Sequence, residues 1–218
     1  MMTHVPAPRL QSAAAVHDGR MTQSDVAWRG EDDPDRIDSA VIRIGGTGMT
    51  AHGSSVTGSY ATAWSLDATD SWSTRTLDVS VHGAGWARSL ALARDPDGSW
   101  SAVARMRGDV DLPPAGLADP DSVAGALDCD LGLCPATNTM PIRRLGLLRG
   151  SVPETSLVMA WVEVPSLRVI RSDQVYASST PGRVRYRSFS RDFHAELTVD
   201  HDGIVIDYPG LARRLARR

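Results

Sequence analysis

Phe193-His-Ala-Glu-Leu-Thr-Val199, Asp200-His-Asp-Gly203 and Ile204-Val-Ile-Asp-Tyr208 follow one another without a break. In the first run Phe193, Ala195, Leu197 and Val199 alternate with His194, Glu196 and Thr198. Period-two alternation places one set on each face of a strand. Asp202-Gly203 is a hairpin signal, because glycine takes the positive backbone angles that a tight turn between strands needs. The stretch therefore reads as two adjacent antiparallel strands, with Ile204, Ile206 and Tyr208 sharing a face in the second.

The same grammar extends outward. Leu77, Val79 and Val81 alternate with polar residues, and Asp95-Pro-Asp-Gly98 marks another hairpin. Pro181-Gly182 joins Arg171–Tyr176 to Arg183–Phe189. Such spacing predicts an all-β chain of roughly ten to twelve strands, as in sandwiches and barrels. Leu157–Val164 is apolar on both faces, so it is either covered on both sides or lines a cavity on one. Asp119–Leu127 opens with a helix-start pattern but is long enough for only a turn or two. Leu211–Arg218 alone has sustained helical spacing. Residues 1–25, rich in Pro, Ala, Ser and Gln, lack periodicity and read as disordered, leaving 26–218 as a single β-rich domain.

Composition narrows the function classes. The chain has 218 residues, 42% hydrophobic and 22% charged, the balance of an ordinary globular protein. A net charge of -3 gives no ground for a nucleic-acid partner. All 23 basic residues are arginine. No apolar run reaches the ~18 residues of a membrane helix, and no hydrophobic core of a signal peptide is visible, so a cytoplasmic location is expected. Two cysteines, Cys129 and Cys134, lack the companions of a zinc site and read as buried thiols. The histidines are scattered without metal spacing. No Gly-x-Ser-x-Gly elbow is present, and Gly45-Gly-Thr-Gly48 opens no helix. Neither a cofactor nor a metal is expected.

Chemistry concentrates in Asp128-Cys-Asp-Leu-Gly-Leu-Cys-Pro-Ala-Thr-Asn-Thr-Met-Pro-Ile-Arg-Arg-Leu145. On a strand Asp128 and Asp130 point the same way. They can pair with Arg143 or Arg144, contact a ligand, or perform acid/base work if their environments differ. Arg143 and Arg144, read as strand neighbours, point to opposite faces, and an inward guanidinium suits a phosphate or carboxylate. Asn138, the only asparagine in the chain, sits in a Thr-Asn-Thr context typical of a tight turn. Six tryptophans against two phenylalanines can be core residues or can stack on sugar rings and line an amphiphile site.

Several of these pieces together resemble the putative glycolipid-binding family. They are Tyr60 with Trp72, the Asp-Gly-x-Trp turn ending at Trp100, Asp128-Cys-Asp130, Thr137-Asn-Thr-Met-Pro-Ile-Arg-Arg-Leu145, Pro165-x-Leu167, Gln174-x-Tyr176 and Asp202-Gly-Ile-Val-x-Asp-Tyr-Pro-Gly210. Met140 stands where leucine is expected, a volume-conserving change. The resemblance implies a large curved antiparallel sheet, a half-barrel or clam-like barrel with few short helices, similar to bacterial periplasmic lipoprotein carriers. It implies a lipid-like or glycolipid-like ligand, bound without catalysis in a cavity of the sheet. Trp28, Tyr60, Trp64, Asp128, Asp130, Asn138, Arg143, Arg144, Gln174, Tyr176 and Tyr208 are the candidate ligand-binding residues. The alternative is a hydrolase or isomerase using Asp128 or Asp130, with Arg144 holding an anionic substrate.

Overall fold

The computed structural model describes residues 21–68 and 71–216. Seven strands come first: β1 (Thr22–Gly30), β2 (Ile37–Ile44), β3 (Met49–Val56), β4 (Tyr60–Ala68), β5 (Thr74–Gly83), β6 (Trp86–Arg94) and β7 (Trp100–Arg107). They form an antiparallel meander in sequence order. The short β8 (Gly116–Leu117), β9 (Asp128–Leu131) and the helix α1 (Thr139–Arg144) follow. The chain then returns as β10 (Val152–Val162), β11 (Arg168–Ser178), β12 (Arg183–Ser188), β13 (Phe193–Val199), β14 (Val205–Tyr208) and β15 (Ala212–Arg214). β15 pairs with β1, so all fifteen strands belong to one sheet. The sheet is open rather than a closed barrel, and it is mixed: β9 runs parallel to β10, and β8 parallel to β11. No helix among the described residues is long and apolar enough to cross a membrane.

The hairpins at Asp97-Gly98, Pro181-Gly182 and Asp202-Gly203 lie where the turn residues place them. The β13–β14 hairpin has one refinement. Val199 pairs with Val205 but Thr198 with Asp207, which leaves Ile206 as an extra residue on β14. This bulge shifts the phase. Val205 turns inward and Ile206 turns to solvent, against the simple alternation.

Three expectations are corrected. β1 begins at Thr22, where it pairs with Ile44, so residues 22–25 belong to the sheet; residues 1–20 lie outside the described residues. Within the tail expected to be helical, Ala212–Arg214 form β15 instead; residues 217–218 lie outside the described residues. An isolated eight-residue helix is marginal in water, whereas Ala212 and Arg213 gain ladder bonds on both sides from β14 and β1. Arg143 and Arg144 close α1 rather than lying on a strand. Pro135 and Pro141 sit in first-turn positions, of a 3-10 turn and of α1, where the absent N–H costs no intrahelical bond.

The strands β9–β11 separate two apolar clusters. Cys129, Leu131, Val158, Ala160, Val162 and Val169 face the inner side of β1–β7, which contributes Trp28, Ile42, Leu66, Leu77, Val79 and Leu90. Leu157, Met159 and Tyr176 face the opposite way, against Ile142 of α1, Leu147 and the aromatic residues of β12 to β14. Leu157–Val162 is thus covered on both sides, as its two apolar faces require. The concave interior is packed by the segment that carries the family motif, including Val123, Ala126, Ala136 and Met140. Where Trp28, Thr62, Trp64, Leu131 and Cys134 meet, the enclosed void is about 20 Å³, room for one water.

Candidate functional site

A polar network lies buried between β9, β11 and α1. Asp128 and Asp130 occupy alternate positions of β9 and point to the same face, as their spacing requires. Asp128 is 1% exposed and receives two hydrogen bonds from Arg144, both 2.5 Å, one to each carboxylate oxygen. Arg144 also donates to the Trp72 carbonyl at 3.0 Å. Arg143, roughly 100° further round the helix, stacks its guanidinium 4.9 Å from the Trp72 ring centroid. Burial pushes the Asp128 carboxyl above its ordinary value, and the Arg144 bonds and charge pull it back.

Asp130 is 15% exposed. Gln174 donates to it at 2.7 Å and Thr137 at 3.1 Å, while Arg191 stands 3.8 Å away. Tyr176 donates to Asn138 Oδ1 at 2.9 Å, and Asn138 donates to the Pro135 carbonyl at 3.3 Å. Tyr186 meets Tyr176 and Tyr208 edge-on, with centroids 5.1 and 5.8 Å apart, and accepts from Arg191 at 2.6 Å. Burial raises all three phenols, so they stay protonated as donors at neutral pH. Burial likewise raises the Asp130 carboxyl, against the charge of Arg191 and the bonds from Gln174 and Thr137.

The structure therefore brings together Asp128, Asp130, Asn138, Arg144, Gln174, Tyr176 and Tyr208, with Arg143 at the margin. Trp28, Tyr60 and Trp64 lie elsewhere, in or beside the first cluster. Trp28 donates its indole N–H to the Val205 carbonyl at 2.8 Å. Sequence reasoning missed Arg191, Tyr186 and Thr137. Tyr186 shares an inward face of β12 with Val184, a signal present in the alternation. Arg191 sits in a turn, and nothing in its sequence neighbourhood marks it. Chemically, Asp128 is a counter-ion with both oxygens occupied, and Asp130 is a carboxyl with a raised proton affinity held among donors. Among the described residues no cluster of three His, Cys, Asp or Glu is placed to hold a metal ion.

A second feature lies on the opposite, exposed face of β1–β6. Cross-strand register aligns Ala27, Ser39, Ser54, Ala63, Ser80 and Ser89 in one row. Side chains this small leave a groove of about 660 Å³ over β1–β4, edged by Arg214 and Leu215, and an adjoining depression over β4–β7 that shares Ala63. On the inner face, Gly53 stands opposite Trp64, and a Cβ there would meet the indole at 2.6 Å. The indole lies across strand β3 because that position is glycine.

The protein is thus an open curved sheet with a filled interior, a buried carboxylate–arginine–tyrosine network on one side and a shallow groove on the exposed face. The family model described as putative glycolipid-binding matches residues 25–214, and the chain belongs to that family. A crystal structure of a DUF1089 family protein from Pseudomonas aeruginosa is similar, at 26% identity and a TM-score of 0.59, covering 95% of this chain and 100% of that one. No curated protein matches.

Proposed function

We propose that this protein is a cytoplasmic, non-catalytic carrier of a lipid-like or glycolipid-like small molecule, held in the groove across β1–β4. The observation that carries this reading is the groove itself. Its volume of about 660 Å³ lies within the range of about 300–1,000 Å³ usual for small-molecule sites. Its floor is alanine, serine and valine with the Trp64 backbone and ring beneath, and Asp25, His52 and Arg214 stand at its rim. An apolar chain suits the floor, and a hydroxylated head suits the rim, where Arg214 is already paired with Asp200 at 2.6 Å. The family description supports the ligand class. The sheet interior, expected to hold the ligand, is filled by the motif segment, so the reading moves to the exposed face. On this reading the polar network holds the motif segment in place.

Native mass spectrometry of protein purified from its own host, followed by organic extraction, tests the proposal. An amphiphile adduct that is lost in Ala63→Trp supports it. An apo mass, with no shift in melting temperature across a panel of lipids and glycolipids, overturns it.

A further inference from the structure

On the far half of the sheet, β12 carries Arg183, Arg185 and Arg187 at successive outward positions, with Val184, Tyr186 and Ser188 buried between them. Phe189 continues that outward face past the end of the strand. It is 55% exposed, and the Arg187 guanidinium lies 4.6 Å from its ring centroid. The register sets Arg187 beside Val175 and His194, and Arg185 beside Ala177 and Glu196. These residues line a shallow depression of about 400 Å³, with Glu154 also on its wall.

The charges divide unevenly. Glu196 lies 3.6 Å from Arg183, and Asp173 is held by Arg171 at 2.6 Å. Among the described residues, Arg185 and Arg187 have no carboxylate within 4 Å. Glu196 faces Arg185 across the strands and Glu154 shares the depression, but neither closes an ion pair with Arg185 or Arg187, and both guanidinium groups stand in line with an exposed aromatic ring at a hairpin tip. The chain as a whole is net -3, so this is a local feature and not the sign of the molecule.

We propose that the outward face of β12, ending in Phe189, docks on the surface of an anionic phospholipid bilayer. Successive outward residues of a strand are about 7 Å apart. Arginines so spaced along a straight strand do not converge on one phosphate, but each can take a separate headgroup with its planar donor fork. Phe189 enters the interfacial layer beside them. Polybasic surfaces with an aromatic residue bind membranes by this combination of charge and apolar insertion. The face shares no residue with the groove, so the two proposals stand or fall separately.

Co-sedimentation with vesicles of phosphatidylcholine, with and without phosphatidylglycerol, tests the docking. Binding is expected to the anionic vesicles only, and to weaken as salt screens the surface. Each arginine near such a surface changes the partition roughly five-fold. Arg185→Gln with Arg187→Gln is then expected to lower it roughly 30-fold, and Phe189→Ser to lower it again. Arg105→Gln with Arg107→Gln, on the β7 edge, leaves it unchanged. Equal binding to neutral vesicles, no binding at all, or full binding by the folded β12 variant overturns the proposal. The lipid and salt comparisons use the unaltered chain, so they decide the matter even if a variant fails to fold.

Discussion

Asp128 on β9 and Arg144 in the last turn of α1 form a two-pronged ion pair across 16 residues of sequence, inside the protein. The pair fixes where the motif helix sits against the sheet. Arg144 also reaches the Trp72 carbonyl, so one guanidinium ties β9, α1 and the β4–β5 turn together.

Removing one partner leaves the other charge buried. Arg144→Met is expected to cost about 3–5 kcal/mol of stability at neutral pH, measured by urea denaturation. Without the arginine, the already raised Asp128 carboxyl rises further. A raised carboxyl contributes stability at low pH and loses it as pH climbs through its folded value. The deficit of Arg144→Met should therefore shrink on acidification. A deficit that grows toward low pH would contradict the assignment.

Asp130 offers a second pH test. Its carboxyl is raised by burial, so the folded state binds the proton more tightly than the unfolded chain. Stability falls as pH rises from about 4, the unfolded value, through the folded one. Asp130→Asn removes this dependence. Plotted against pH over that window, its stability relative to the unaltered protein should rise. A flat difference would mean that Asp130 is not perturbed.

Gly53 is predicted to tolerate no side chain. A Cβ there meets Trp64 at 2.6 Å and the Ser39 carbonyl at 2.3 Å, and backbone cannot yield as a flexible side chain can. Gly53→Ala should cost about 1–3 kcal/mol and change the tryptophan emission. Unchanged stability and emission would show that the indole packs differently.

Both cysteines should be inert in the folded protein. Burial pushes the Cys129 thiol up to about 12 and raises Cys134 as well. Reactivity requires the thiolate. Neither should react with a thiol reagent at mildly alkaline pH, and both should react in urea. Cys129 is fully buried whereas Cys134, expected to be buried, is only partly so, and rapid labelling of Cys129 in the native protein would contradict its burial.

Filling the groove should separate ligand binding from folding. Ala63 is exposed, and Ala63→Trp should change stability by no more than about 0.5 kcal/mol. Binding of the extracted amphiphile, followed by titration calorimetry, should fall at least about ten-fold, or about 1.4 kcal/mol. Intact binding would place the ligand elsewhere.

Local chemistry determined much of this protein by itself. Alternating Leu77-Asp-Val-Ser-Val81 and Phe193–Val199 can bury one face only as strands, and two Asp-Gly turns and one Pro-Gly turn join neighbouring antiparallel pairs, so the all-β class and three hairpins were legible. Equal apolarity on both faces of Leu157–Val164 called for a strand either covered twice or lining a cavity on one side, and packing decided for the first. The spacing of Asp128 and Asp130 put both carboxylates on one side. Long-range packing decided the rest. Arg143 and Arg144 have no local alternation that distinguishes strand from helix; α1 forms because it docks on the second cluster and Asp128 awaits its last turn. Leu211–Arg218 has helical spacing, yet the free ladder bonds of β1 and β14 outweigh the propensity of so short a segment. The bulge at Ile206, the place of Arg191 beside Asp130, and the filling of the concave interior all depend on residues far apart in the chain. A sequence states which side of a strand is apolar, whereas what covers that side is settled only when the distant segments meet.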